Sequence, residues 1–253
     1  MQISPMKTRP PQSGFTLLEL LAGIAILAVL SALLLPAVGK IRNSTDRTKC
    51  VSNLRTLGIA INLYATDNDD RLPGPCPTGL GRTLVDNQRT QMIYHLQPYL
   101  DLPTPTASPV YPEILHCPSL RNVSFGTPMK WQDITLYAAY SNVDLPADKR
   151  YLKDRQIVDD NGTSWPVGPW GRSNSTPGYP GWKRITISSQ IDETKTLPGG
   201  GKPTLATIPA IREIDASLKT WPWPTPPKAV HGAFHNVLFF DWHVESVPVT
   251  AYQ

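Results

Sequence analysis

The feature that most constrains this chain is an apolar run near its N-terminus. From Leu20 to Val38 there are 19 residues without a charge, and the segment 15–38 would form a helix about 36 Å long. A cleaved secretory signal peptide is the alternative, but its apolar region is usually about 7–15 residues long and ends in small residues. This run is longer and continues into "LLLPAVGK". It therefore predicts a helix that spans a membrane.

One carboxylate, Glu19, stands just inside the apolar run. On insertion scales an ionisable residue costs roughly 2.5–3.5 kcal/mol at the centre of a spanning helix and less near its end. Such a side chain normally has a partner that offsets part of this cost. The sequence therefore predicts that Glu19 is paired.

The stretch "GFTLLELL" resembles the processing site of type IV prepilins and type II secretion pseudopilins. In that family a membrane peptidase removes a short basic leader after a glycine, the new N-terminal residue is methylated, and a glutamate stands fifth in the mature chain. Gly14, Phe15 and Glu19 match this pattern behind a leader of residues 1–14, and Pro36 matches a proline common in the family. The resemblance implies cleavage between Gly14 and Phe15, and assembly in which Glu19 meets the N-terminal amine of a neighbouring subunit.

The same resemblance implies a structural subunit of a type II secretion pseudopilus or type IV pilus-like filament, and not an enzyme. Its implied partners are prepilin peptidase, other pilin or pseudopilin subunits and the bacterial inner membrane, crossed once with the head on the periplasmic side. More basic residues follow the apolar run than precede it, which by the positive-inside rule favours the opposite orientation; we give the processing signature more weight. No cofactor is implied, and a net charge of +4 is too weak for a nucleic-acid partner.

Beyond the membrane segment we expect the helix to continue over residues 39–66. Apolar residues recur there at three- and four-residue steps and predict one buried face, formed by Val51, Leu54, Leu57, Ile61 and Tyr64. The sequence "TDNDDRLP" should end the helix. Residues 67–253 then form a globular head, so the fold class is α+β: a long N-terminal helix packed on a β-rich, loop-rich, pilin-like head.

Three segments of the head have the β-branched and aromatic content of strands: "DITLYAAYSNV" (133–143), "KRITISSQI" (183–191) and "HNVLFFDWHVESVPV" (235–249). The last belongs to a predicted C-terminal hairpin over 229–249. Two Pro- and Trp-rich loops, 161–184 and 220–227, interrupt the head. Trp side chains exposed on them would suit an anchored carbohydrate- or surface-binding protein, although a self-packed loop is the simpler interpretation.

The C-terminal stretch "HGAFHNVLFFDWHV" resembles a signature of many prepilin-type proteins, a His followed after nine residues by Asp-Gly and often by His. His231, Asp241 and His243 match it, whereas Trp242 replaces the glycine, so we expect a turn that is longer or of another type. With His235 these residues could also form a hydrolase zinc site. The pattern lacks the helical H-E-x-x-H arrangement, and a structural role is favoured.

The chain has three cysteines. Cys76 and Cys117 stand in proline-rich, loop-like contexts and could form a disulfide after export, while Cys50 lies on a predicted helix; the alternative is that all three are unpaired. Asp67, Asp69 and Asp70 have the oxygen density that Ca²⁺ prefers, but the full EF-hand loop pattern is missing. A solvated helix end is the simpler interpretation of these carboxylates.

Overall fold

The structure is a computed structural model that describes residues 16–74, 76, 80–81, 83–86, 91–123, 137–139, 151–153, 155–158, 164–167, 169–170, 187–197, 199–216 and 225–252. The chain divides into two compact units, residues 1–44 and 45–253. We describe each unit by itself.

The first unit consists, in its described part, of the N-terminal portion of helix α1, which runs from Leu17 to Asp67 and is uninterrupted at Pro36. Large apolar side chains are exposed all around its first turns, with exposed fractions of 51–81% for Leu17, Leu18, Leu20, Leu21, Ile24, Ile26, Leu27, Val29 and Leu30. Within the described residues, no helix has the length and hydropathy expected of a membrane span.

In the second unit, α1 carries the predicted buried face. Leu54, Leu57 and Ile61 are wholly buried, and Val51 and Tyr64 are half-buried, which confirms the face read from the three- and four-residue steps. After Asp67 the chain turns, with the Asp70 backbone N–H donating to the Ala65 carbonyl at 2.8 Å. The helix therefore ends within the predicted "TDNDDRLP" stretch.

A four-stranded antiparallel sheet forms the centre of the second unit, in the order β1–β4–β5–β6. A separate two-stranded antiparallel hairpin pairs β2 with β3. The strands are β1 Tyr137–Ala139, β2 Arg155–Val158, β3 Ser164–Val167, β4 Pro209–Glu213, β5 Phe234–Phe239 and β6 Val244–Pro248. Besides a short helix α2, Met92–Leu96, the connections contain 3₁₀ turns at Gln97–Leu100, Glu113–Leu115, Pro118–Asn122, Ser188–Gln190 and Val249–Tyr252.

The strand predictions are correct in two of three segments. β1 lies in the first predicted segment, and β5 and β6 form the C-terminal hairpin. The described part of the second segment, 187–191, contains the 3₁₀ turn Ser188–Gln190, so the strand prediction is wrong there. The loop predicted over 161–184 contains β3, and β4 was not predicted at all.

The core lies between α1 and the sheet. Gly58 of α1 approaches β5 so closely that a Cβ added to it would lie 3.0 Å from the Leu238 side chain. A side chain at this position would require Leu238 to shift, so the glycine allows α1 and β5 to pack this closely. Further buried apolar residues from the connections complete the core: Leu72, Leu80, Met92, Ile93, Leu96, Leu115, Leu120, Tyr151 and Ile208.

Candidate functional site

Glu19 lies in the first turn of α1 and forms a capping box with Thr16. The Thr16 backbone N–H and hydroxyl donate to Glu19 Oε2 at 3.0 and 2.9 Å, and the Glu19 backbone N–H donates to Thr16 Oγ1 at 3.2 Å. Such reciprocal bonds satisfy donors that the first helical turn would otherwise leave unpaired. This role was not predicted, although the T-x-x-E spacing of Thr16 and Glu19 signals it.

The capping box leaves part of the Glu19 carboxylate for another partner. Among the described residues, the acceptor bonds of Glu19 end on Oε2, so Oε1 can accept from a further donor. The other predicted processing residues, Gly14 and Phe15, lie outside the described residues, as do the side-chain surroundings of Pro36.

The predicted Cys76–Cys117 disulfide is wrong in this structure, because Cys117 is bonded to Cys50 of α1, with their Cα atoms 5.1 Å apart. Cys76 is a free, buried thiol. Burial raises the pKa of the Cys76 thiol, which keeps it protonated and unreactive. The sequence did contain a signal that Cys50 is buried, because Cys50 precedes Leu54 by one helical turn and therefore lies on the buried face of α1.

Asn53, one turn after Cys50, positions the segment that carries Cys117. Its side-chain amide is 3.3 Å from the His116 carbonyl and 3.4 Å from the Glu113 carbonyl, so it can donate to both. These contacts hold the residues before Cys117 against α1. The disulfide then links the helix covalently to this connection.

His231 and Glu213 lie next to this disulfide. The His231 Nε2 atom is 3.3 Å from Cys117 Sγ and 3.3 Å from Glu213 Oε1. Both side chains are buried, with exposed fractions of 4% for His231 and 0% for Glu213. The four side chains Cys50, Cys117, Glu213 and His231 offer donor atoms that all lie within 4.8 Å of one another.

Glu213, in β4, is held by the neighbouring strand β5. The Asn236 backbone N–H donates to Oε2 at 2.8 Å and the Asn236 amide donates to Oε1 at 3.0 Å. The Ser246 hydroxyl of β6 in turn donates to the Asn236 amide oxygen at 2.6 Å. A carboxylate buried without such partners would cost several kcal/mol, so this network explains how Glu213 can occupy the centre of the sheet.

Tyr137, in the edge strand β1, lies opposite Glu213 in the register of the sheet. Burial, followed by the nearby Glu213 carboxylate, raises the pKa of the Tyr137 phenol well above its usual range. The phenol therefore remains neutral beside the carboxylate. This arrangement adds no second negative charge to the buried cluster.

The structure separates the three histidines of the suggested hydrolase site. His231 contacts Glu213, His235 Nε2 is 3.2 Å from Asp215 Oδ2, and His243 Nδ1 is 2.5 Å from Asp241 Oδ1. Each thus pairs with a different carboxylate. The signature residues His231 and Asp241 likewise belong to different local networks, so the described residues give no support to a catalytic zinc site built from these histidines.

Residues Phe240–His243 connect the two strands of the C-terminal hairpin and form a connection longer than a two-residue turn. This agrees with the longer turn expected because Trp242 replaces the glycine of the signature. The Trp242 backbone N–H donates to the Phe239 carbonyl and the Phe239 N–H donates to the His243 carbonyl, both at 3.0 Å. Trp242 nevertheless adopts a φ of 70°, a left-handed conformation that is unfavourable for a side chain of this kind and was not expected here. Packing of its partly buried side chain against the core accompanies this backbone.

The Trp-rich loops were predicted to offer exposed tryptophan rings to a sugar or another surface. Trp170, within the predicted Trp-rich loop, is buried and stacks on Phe240 with ring centroids 5.7 Å apart, so its ring is not available to a sugar. Most of the remaining loop residues in 161–184 and 220–227 lie outside the described residues.

The suggested Ca²⁺ ligands do not form a cluster in the described ranges. Asp67 Oδ2 accepts a hydrogen bond from the Tyr99 hydroxyl at 3.1 Å, and Asp69 and Asp70 have φ angles of 54° and 63° in the turn after α1. None of the three belongs to the set of donors that the structure brings together. The interpretation as a helix end therefore fits these residues better.

Comparisons with known proteins support the resemblance found in the N-terminal residues. The family model described as the prokaryotic N-terminal methylation motif matches residues 9–35. The chain is also similar to proteins named type II secretion system core protein G: it is 41% identical over 58 residues to that of Pectobacterium carotovorum subsp. carotovorum, 44% over 57 residues to that of Klebsiella pneumoniae, and 36% over 63 residues to that of Escherichia coli (strain K12).

These alignments cover 23%, 22% and 25% of this chain and 37%, 41% and 43% of the three relatives, so the chain spans less than half the length of the curated relatives it matches. No solved structure gives a significant match. The matches confirm the predicted resemblance: the chain is pseudopilin-like.

Proposed function

We propose that this protein is a structural subunit of a type II secretion pseudopilus or a type IV pilus-like filament. The observation that carries the proposal is the combination of Gly14, Phe15 and Glu19 ahead of a long apolar helix, in a segment matched by the methylation motif over residues 9–35. A protein named type II secretion system core protein G is similar over about a quarter of the chain. In this role the protein has no catalytic activity.

The exposure of the first unit supports assembly. Nine large apolar side chains between Leu17 and Leu30 are at least half exposed and point in all directions from the helix. A helix that is apolar all around is normally buried in a membrane or among other helices. We infer that lipid covers residues 15–38 before assembly, with the head on the periplasmic side of the bacterial inner membrane, and that neighbouring subunits cover them in the filament.

Glu19 supplies the polar contact in this packing. After cleavage the Phe15 amine is a new positive charge four residues before Glu19, in a part of the chain otherwise free of charge. Oε1 of Glu19 can accept from the amine of an adjacent subunit while Oε2 keeps its bonds to Thr16. Pairing removes two unpaired charges from an apolar environment at once.

N-terminal sequencing and intact-mass measurement of the membrane-fraction protein test the processing that this function requires. We expect a mature chain that begins at Phe15 and carries one additional methyl group. A Gly14→Ala change does not provide a clean control because alanine is also small, so Gly14→Asp is the informative variant and should retain the leader. A mature chain that begins at Met1 or after Ala37 would contradict the proposal.

A further inference from the structure

We propose that Cys50, Cys117, Glu213 and His231 form a Zn²⁺ site when the Cys50–Cys117 disulfide is reduced. The four side chains come from α1, from the connection after Glu113–Leu115, from β4 and from the turn before β5. Two thiolates, an imidazole and a carboxylate are donors that Zn²⁺ binds in tetrahedral sites. The inference is independent of filament assembly, since all four residues lie in the second unit.

The distances around His231 already match those expected between zinc ligands. With Zn–N and Zn–O bonds of about 2.05 Å and a Zn–S bond of about 2.3 Å, tetrahedral geometry separates N from O by about 3.4 Å and N from S by about 3.6 Å. The His231 Nε2 atom lies 3.3 Å from both Glu213 Oε1 and Cys117 Sγ. The imidazole and the carboxylate thus already have the spacing of two zinc ligands before any metal arrives, and Cys117 Sγ lies beside them.

Only the two sulfurs must move. A disulfide holds them about 2.0 Å apart, whereas two thiolates on one zinc lie about 3.8 Å apart. Rotation of the Cys50 and Cys117 side chains about their Cα–Cβ bonds supplies this separation. The disulfide and the metal therefore exclude each other, and the site is controlled by the redox state of the pair.

Neighbouring side chains orient the Glu213 carboxylate of the proposed site. Asn236 donates two hydrogen bonds to Glu213, and Ser246 orients Asn236, which is the kind of outer support that fixes ligating carboxylates. Two thiolates and a carboxylate around Zn²⁺ leave one net negative charge. A cavity of about 30 Å³ next to Cys117 is lined by the cationic side chains of Lys49 and Arg121 and by the carboxylate of Glu113.

A dithiol reductant opens the Cys50–Cys117 disulfide by thiol–disulfide exchange. The reductant transfers two electrons and two protons to the disulfide and becomes a cyclic disulfide, leaving two cysteine thiols. Binding of Zn²⁺ then releases the two thiol protons and forms two Zn–S bonds. Because four protein ligands fill the tetrahedron, the site has no open position and is structural, not hydrolytic.

Cobalt binding to the full chain in detergent tests the site. The protein is reduced with a phosphine, which takes the oxygen of one water and leaves two thiols, and Co²⁺ is added after the phosphine has been removed. We expect one Co²⁺ per chain with thiolate-to-cobalt charge-transfer absorption and tetrahedral d–d bands, displaced by Zn²⁺. The oxidised protein should show none of these bands.

Variants separate this site from adventitious binding. His231→Ala should weaken binding by at least about tenfold. His243→Ala changes a partly exposed histidine that has its own carboxylate partner, and Cys76→Ser removes the buried thiol outside the cluster. Both variants should bind Co²⁺ as tightly as the protein without substitutions.

Three outcomes would overturn the proposal: reduced, folded protein that binds no Co²⁺, a cobalt spectrum without the thiolate band, or equal binding by His231→Ala. The comparison of reduced and oxidised unchanged protein remains decisive if a variant fails to fold.

Discussion

Reduction of the Cys50–Cys117 disulfide should lower the stability of the protein, and the length of the disulfide loop gives the size of this effect. The bond closes a loop with a sequence separation of 67 residues. In the chain-entropy model, closing such a loop lowers the entropy of the unfolded chain by about 15 cal/mol/K, which stabilises the folded state by about 4.4 kcal/mol at 25 °C. Small domains have a total stability of about 5–15 kcal/mol, so the metal-free reduced head should be only marginally stable.

Urea unfolding of the full chain in detergent measures this difference. Oxidised and phosphine-reduced protein are compared by tryptophan fluorescence in the presence of a chelator, with Cys76→Ser as the background so that no other disulfide can form. We expect the free energy of unfolding to fall by about 4 kcal/mol on reduction. Addition of excess Zn²⁺ in place of the chelator should restore part of this loss if the proposed metal site forms.

A loss below about 1 kcal/mol would refute the reasoning, because it would mean that the bond does not constrain the unfolded chain as its loop length requires. Energetics alone cannot identify the pair, since a loop from Cys76 to Cys117 would give about 3.9 kcal/mol by the same model. Peptide mapping of the oxidised protein settles the pairing. A peptide that joins Cys76 to Cys117 would contradict the structure.

Further predictions concern packing, the hairpin and pH. Gly58→Ala should change the stability by about 0 to −2 kcal/mol in urea unfolding, because the cost of about 1–3 kcal/mol from its Cβ pressing on Leu238 offsets the gain of about 1 kcal/mol that alanine brings to a helix interior; a full gain of about 1 kcal/mol would contradict the close packing. Trp242→Gly should be more stable than Trp242→Ala by about 1 kcal/mol, because φ is 70° there; the reverse order would count against this backbone. Burial lowers the pKa of His235 in the folded protein and outweighs the opposing effect of Asp215. The neutral imidazole therefore favours the folded state. Its contribution to the free energy of unfolding is complete above pH 6.5, the ordinary pKa of histidine, and is lost as the pH falls from 6.5 through the lower pKa of the folded state. Unfolding free energies measured from pH 8 to 5 should therefore decline, and His235→Gln should reduce the decline.

The helix and its buried face could be predicted because their signals are local. The spacing of Leu54, Leu57 and Ile61 follows from the 3.6-residue period of a helix, which does not depend on the partner that covers the face. The strands of the C-terminal hairpin could be predicted for the same reason, since their β-branched and aromatic residues lie close together in sequence.

The buried cluster could not be predicted because its stability comes from contacts distant in sequence. β4 begins with a proline and contains Arg212 and Glu213, a composition untypical of a central strand. Glu213 is tolerated there because Asn236, 23 residues later, donates two hydrogen bonds to it and the buried His231 lies 3.3 Å from its Oε1. Cys117 likewise pairs with Cys50 through the fold of the intervening connection, which no local pattern specifies.

Two variants separate the charge of Glu19 from its role in capping the helix. Glutamine can complete a capping box as glutamate does, so Glu19→Gln retains the cap and removes the charge. Thr16→Ala removes much of the cap, at a cost of about 1 kcal/mol, and keeps the charge. Loss of one member of a buried charge pair costs about 3–5 kcal/mol, which is much the larger effect.

The amount of mature protein in filaments sheared from cells, measured for these two variants at equal membrane levels, is the most direct test of the polymerising-subunit account. The account predicts that Glu19→Gln is cleaved and membrane-resident but absent from filaments, whereas Thr16→Ala enters them. Filaments that contain Glu19→Gln at the level of the unchanged protein would show that the carboxylate charge does not pair subunits, and would contradict the account.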